Sequence, residues 1–132
     1  MRRAEPLGRS PRLLILDDET RILSALRRSL RREGYEILTF ETAEEALREL
    51  DDRPVDVILS DQRMPGMSGL QFLTRAAQRR PQAARLLITG WTEAIPQEEL
   101  EKLGVCGLIN KPWDDATLKA TLREVLGPAG PG

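Results

Sequence analysis

Short apolar runs alternate with amphipathic segments along most of this chain. Arg12–Leu16 (RLLIL) is apolar after its first residue, as a strand covered on both faces would be. Residues 19–33 space Ile22, Leu26 and Leu30 along one helix face, and Gly34 stands where a helix stop belongs. Tyr35–Phe40 is strand-like. Thr42 is placed to cap a helix over Ala43–Leu50, with Glu45 completing a capping box. Val55–Leu59 (VDVIL) reads as a third strand. Ser68–Arg80 carries Leu70, Leu73, Ala76 and Ala77 on one helix face, and Pro81 ends it. Arg85–Ile88 predicts a fourth strand, and Pro96 opens a helix through Leu103. Gly107–Asn110 predicts a short fifth strand, and Asp114 caps a last helix through Leu126.

This is a (βα)₅ pattern. Helix-length crossovers require parallel strands and right-handed connections. The expected fold is α/β: a doubly wound, flavodoxin-like parallel sheet in the order 2-1-3-4-5, forming a single domain over residues 12–126. Residues 1–11 lack periodicity and read as a disordered lead-in. Residues 127–132 contain only Gly, Pro and Ala and read as a tail or linker.

Composition narrows the chemistry. The 132 residues contain no histidine, which removes imidazole ligands and His bases together. Chemistry must run on carboxylates, hydroxyls, lysine and backbone. A formal net charge of −1 gives no overall field for nucleic acid or an anionic membrane. No apolar run approaches the roughly 20 residues that span a bilayer. A cytoplasmic protein is the expectation. The lone Cys106 reads as a small buried apolar side chain.

Polar residues cluster where such a sheet binds ligands, beyond the carboxyl ends of its strands. Asp17, Asp18 and Glu19 follow the first strand, and Ser60 and Asp61 the third. Thr89 and Gly90 follow the fourth, and Asn110, Lys111 and Pro112 the fifth. Two carboxylates ~4 Å apart repel by roughly 4 kcal/mol at an effective dielectric of about 20. Three together would raise at least one pKa or require a cation, and without His or thiolate ligands Mg²⁺ is the natural choice. Each residue alone has a bland reading: a helix cap for Asp17, Asp18 or Thr89, a turn former for Asp61, a solvated charge for Lys111. The joint placement is what those readings explain poorly.

LLILDDE, VDVILSDQRMPGMSGLQFL, LLITGW and INKPWDD, in this order and spacing, resemble the CheY-like receiver family of bacterial two-component pathways. The resemblance covers about residues 12–126. It implies that Asp61 accepts a phosphoryl group, that Asp17 and Asp18 support Mg²⁺, and that the Arg63 backbone carbonyl is a further ligand. It also implies that Thr89 is the switch hydroxyl, that Lys111 meets the phosphoryl group, and that the Lys111–Pro112 peptide is cis. The implied partners are a sensor histidine kinase and a downstream effector. The face of fourth helix, fifth strand and fifth helix would carry the signal, or pair with a sister protomer. Direct nucleic-acid or membrane binding is not implied. Such a domain is regulatory, catalysing only its own phosphorylation and dephosphorylation. The wording is also similar to receivers attached to cyclic-dimeric-nucleotide phosphodiesterases or hybrid kinases.

The sequence departs from the pattern in three respects, the last involving two residues. Leu108 stands where the family's switch aromatic is usual, and Gly90 where Ala is common. Arg63 and Trp91 are large side chains flanking access to an acyl phosphate, so slow autodephosphorylation is expected. The alternative is a pseudo-receiver that works as an interaction module without phosphorylation. A Mg²⁺-dependent phosphohydrolase would need more chain to shape a substrate pocket.

Overall fold

The computed structural model describes residues 10–90 and 95–126. Five strands and five helices alternate: β1 (Arg12–Leu16), α1 (Thr20–Leu30), β2 (Glu36–Phe40), α2 (Ala43–Asp52), β3 (Val57–Asp61), α3 (Gly69–Arg79), β4 (Ala84–Thr89), α4 (Gln97–Lys102), β5 (Val105–Asn110) and α5 (Asp115–Leu126). All neighbouring strands are parallel, in the order β2-β1-β3-β4-β5. The expected topology is the observed one.

Side chains of a strand point alternately to the two faces of the sheet. Leu13 and Ile15 of β1, Val57 and Leu59 of β3, and Leu86 and Ile88 of β4 therefore meet α1 and α5. Leu14 and Leu16, Ile58, and Leu87 meet α2, α3 and α4 on the other face. Each helix offers its apolar stripe: Leu23, Leu26 and Leu30 from α1, and Leu118, Leu122 and Leu126 from α5. Each such leucine, buried rather than exposed, contributes about 2 kcal/mol. This two-sided covering is why β1, β3 and β4 read as unbroken apolar runs.

Boundaries moved in physically instructive ways. The third strand is Val57–Asp61, two residues later than Val55–Leu59. Val55 is buried but precedes the strand, and Asp56 is bonded into β1 through its side chain and backbone. Helix α1 ends at Leu30, so Gly34 (φ 83°) turns the chain after an intervening bend. Pro96 is the N-cap of α4 and not its first helical residue. Strand β5 starts at Val105, earlier than Gly107, past an irregularity opposite Arg85 and Leu86.

Capping differs in one detail. Thr42 Oγ1 accepts from the Glu45 N–H at 3.3 Å, but its hydroxyl also donates to the Glu45 carboxylate at 3.0 Å. The reciprocal bond of a full capping box is instead found at Ser68 and Gln71, which open α3. Asp114 caps α5 as expected, accepting from the Thr117 N–H at 2.8 Å. Cys106 is exposed, against the expectation of burial. It lies on β5, the edge strand of the sheet, where buried and exposed positions alternate towards its end.

Among the described residues no helix is long and apolar enough to cross a membrane. Residues 1–9 of the expected lead-in and the whole of 127–132 fall outside the described residues. Pro11 is already tied to the sheet, its carbonyl accepting from the Glu36 N–H at 2.9 Å.

Candidate functional site: an acidic cluster at the carboxyl edge

Three carboxylates meet beyond β1 and β3. Asp17, Asp18 and Asp61 each offer an oxygen within 4.8 Å of the others. Asp17 and Asp61 are buried and Asp18 is exposed. Strand pairing brings them together: Leu16 is in register with Ser60, so the next residues of each strand emerge side by side. Asp17 is then fixed locally. Its N–H donates to the Phe40 carbonyl at 3.1 Å, and its Oδ1 accepts from the Glu19 N–H at 2.9 Å.

Lys111 enters from β5 across β4. Its N–H donates to the Thr89 carbonyl at 2.8 Å, which anchors the backbone. Its Nζ lies 3.0 Å from Asp61 Oδ1 and 3.1 Å from Asp17 Oδ2, with Glu19 Oε1 at 3.9 Å. Each of the two short contacts attracts by about 5 kcal/mol at an effective dielectric of about 20, before desolvation is counted. Among the described residues, the buried Asp17 Oδ2 has no polar partner besides this ammonium.

Burial sets the protonation balance. It pushes the Asp61 carboxyl above its ordinary value, outweighing the Lys111 hydrogen bond, with the Asp17 charge adding to the rise. Burial likewise raises Asp17, against the Glu19 N–H and Lys111. For Lys111, burial alone would lower the ammonium. The hydrogen bond to Asp61 and the charges of Asp17 and Asp61 outweigh it, and the net shift is upward.

The donor set fits a hard divalent cation. Three ionised carboxylates against one ammonium leave two negative charges uncompensated, and one buried oxygen lacks a hydrogen-bond partner. All candidate donors are oxygens, the ligands Mg²⁺ prefers.

The loop after Asp61 is shaped by two glycines for different reasons. Gly66 has φ 82°, a left-handed turn position. Gly69 has no such angle, but a Cβ there would run into the Asp61 carbonyl oxygen and the Leu87 side chain. Glycine thus lets α3 start directly against the end of β3. Gln62, which no local pattern singles out, holds that start: its Oε1 accepts from the Leu70 N–H and its carbonyl from the Gly69 N–H.

The remaining predicted residues are placed as follows. Thr89 ends β4, buried, one residue beyond the register partner of Asp61. Arg63 lies two residues past Asp61 with an exposed side chain. Trp91 falls outside the described residues. The Lys111–Pro112 peptide is cis, as the resemblance implied. Leu108 is 43% exposed on the edge strand. Met64 and Met67 pack against the α2/α3 core, as expected.

A family model described as the response regulator receiver domain matches residues 13–123. The chain belongs to that family. Its curated relatives include the hydrogenase transcriptional regulatory protein HoxA of Cupriavidus necator, 39% identical over 122 residues, covering 89% of this chain and 24% of the relative. The DNA-binding transcriptional regulator NtrC of Klebsiella pneumoniae is 35% identical over 100 residues, covering 76% of this chain and 21% of NtrC. The chain thus spans about a quarter of the length of these relatives. Among solved structures, the signal receiver domain of an HD domain-containing protein from Pseudomonas fluorescens Pf-5 superposes with a TM-score of 0.83 at 32% identity, covering 89% of this chain and 95% of that one. A CheY-like receiver domain protein from Methanospirillum hungatei JF-1 gives 0.82 at 30% identity, covering 89% and 94%. This receiver is of the two-component response-regulator kind, and a phosphorylation-independent role is the less favoured reading.

Proposed function

We propose that Asp61 accepts a phosphoryl group from the phosphohistidine of a sensor kinase. One Asp61 carboxylate oxygen bonds to phosphorus, the phosphorus–nitrogen bond breaks, and the imidazole nitrogen keeps the electron pair. The observation that carries this reading is Lys111 Nζ seated between Asp61 and Asp17, beside a third carboxylate. The carboxylates of Asp17, Asp18 and Asp61 and the backbone carbonyl of Arg63 would hold Mg²⁺. When bound, the ion supplies the two positive charges the cluster lacks and offsets charge on the phosphoryl oxygens. Lys111 meets one phosphoryl oxygen as a point charge, and the Thr89 hydroxyl donates to another.

An aspartyl phosphate carries about two negative charges where the aspartate carried one, beside Lys111 and Thr89. Their inward movement would bias the α4–β5–α5 face, where a downstream effector or a sister protomer docks. The domain is regulatory: it transforms no external substrate and touches neither nucleic acid nor membrane directly. Residues 12–126 form the working unit, in the cytoplasm. Arg63 and Trp91 would slow hydrolysis of the acyl phosphate by shielding it, so an Arg63→Ala/Trp91→Ala variant should lose phosphate faster.

Incubation with acetyl phosphate and Mg²⁺ should add the mass of one phosphoryl group to the wild type and none to Asp61→Asn. Phosphate uptake by Asp61→Asn, or none by the wild type, refutes the assignment.

A further inference from the structure

Trp113 follows the cis proline after Lys111 and is held from two sides. Its ring packs against the core shared by α1 and α5. Its Nε1–H donates to Ser29 Oγ on α1 at 3.2 Å, and the Ser29 hydroxyl donates to Asp115 Oδ1 at 2.7 Å. The chemistry allows one polarity. An indole N–H only donates and an ionised carboxylate only accepts, so the serine hydroxyl must take from one and give to the other. A relay of two directional bonds therefore ties α1 to the start of α5, across sequence separations of 84 and 86 residues.

The segment from Lys111 to Asp115 is then pinned at successive points. Lys111 is bonded to β4 through its N–H, Trp113 to α1 through its indole, and Asp114 to α5 as its cap. Lysine has a flexible four-carbon stem, so its ammonium is only as well placed as the backbone that carries it. Here that ammonium must sit about 3 Å from two different carboxylates.

We propose that Ser29, Trp113 and Asp115 form a latch that positions Lys111 for phosphoryl transfer. Ser29, on a helix that contributes no side chain to the site's ion-pair cluster, is then a positioning residue. This inference rests on Asp61 being the acceptor. The rival is a packing staple that merely joins α1 to α5. The same seam contains a natural control: Glu33, in the turn after α1, pairs with Arg123 of α5 at 2.7 Å and does not touch Lys111.

The test uses the whole chain, Mg²⁺ and acetyl phosphate, with the saturated phosphorylation rate and the Mg²⁺ affinity measured separately. Ser29→Ala and Trp113→Phe should each lower the rate on the order of five-fold, since small misplacements of a catalytic group are costly. Their Mg²⁺ affinity should stay within about two-fold, because Lys111 is not a metal ligand. Ser29→Thr keeps the hydroxyl and should keep the rate. Arg123→Ala should leave the rate unchanged. In a Lys111→Ala background, Ser29→Ala should cost nothing more, the signature of action through that lysine. Unchanged rates in Ser29→Ala and Trp113→Phe, or losses that multiply with Lys111→Ala, overturn the latch and leave the staple. If Ser29→Ala does not fold, Trp113→Phe decides, since it removes the donor and keeps an aromatic ring. A wild type that takes no phosphate defeats the acceptor reading and the latch together. A phosphorylated wild type with unaffected variants defeats the latch alone.

Discussion

Asp56 and Asp61 stand at the two ends of β3, each 4% exposed, and they are held in opposite ways. At the amino end, Asp56 Oδ2 accepts from the Arg12 N–H at 2.7 Å, while its own N–H and carbonyl bond to Arg12 and Ala84. It is a bolt between three strands. At the carboxyl end, Asp61 faces two further carboxylates and shares one ammonium with Asp17. The first aspartate has the donors it needs, whereas the second sits in excess negative charge. Equal burial therefore does not mean equal role: a satisfied buried acid stabilises the fold, and a crowded one carries charge that a counterion would relieve.

The sharpest way to break this comparison is to neutralise each acid in turn. Asp61→Asn should abolish phosphate uptake from acetyl phosphate, whereas Asp56→Asn should still become phosphorylated, as read by intact mass. Uptake lost from both would mean that Asp56 also serves the site.

Stability should respond in reverse. Asp56→Ala leaves the half-buried Arg12 N–H without its acceptor and should cost about 1 kcal/mol in urea unfolding. Asp61→Asn, unfolded without divalent cations, should cost nothing or stabilise, because it removes a charge from a crowded site. A larger loss for Asp61→Asn than for Asp56→Ala would contradict the charge argument.

Magnesium should sharpen the contrast. At ten times its dissociation constant, Mg²⁺ should stabilise the wild type by about 1.4 kcal/mol. Asp56→Asn should show the same gain, and Asp17→Asn should show little. Thermal unfolding with and without the ion reads this directly.

The smallest effect is in the pH profile of the metal-free protein. Asp17 and Asp61 have carboxyls raised above 3.8 by burial, so the folded state holds these protons more tightly than the unfolded chain. Their contribution to stability is present below that value and is lost as pH rises through their folded-state values. Lys111, raised above 10.5, follows the same sign: its part is present throughout the range below that value and is lost only as pH climbs past it. Asp61→Asn should flatten the acid-side decline. A wild-type stability that rises across that window through these groups would show the sign to be wrong.

Much of the site was legible along the chain, because each of its residues terminates an apolar run. Asp17, Asp61, Thr89 and Lys111 sit at the ends of β1, β3, β4 and β5, and parallel strands necessarily deliver such ends to one edge. Less legible were features that depend on pairing. VDVIL looked like a strand, but Asp56 is drawn into β1 and the strand begins after it. Cys106 looked like a core residue, but β5 is an edge and turns it outward. Nothing local marked Ser29 or Gln62, since their partners lie on other elements.

The order of apolar runs and helix stripes by itself determined a five-stranded parallel sheet and the identity of the acids and the lysine at its carboxyl edge. Alternation and crossover handedness are local rules that a chain carries wherever it goes. Only the folded structure decided which buried aspartate is satisfied and which is crowded, and that Trp113 is tied to α1. Those outcomes depend on distances between groups far apart in sequence, and such distances exist only once the sheet has closed its register.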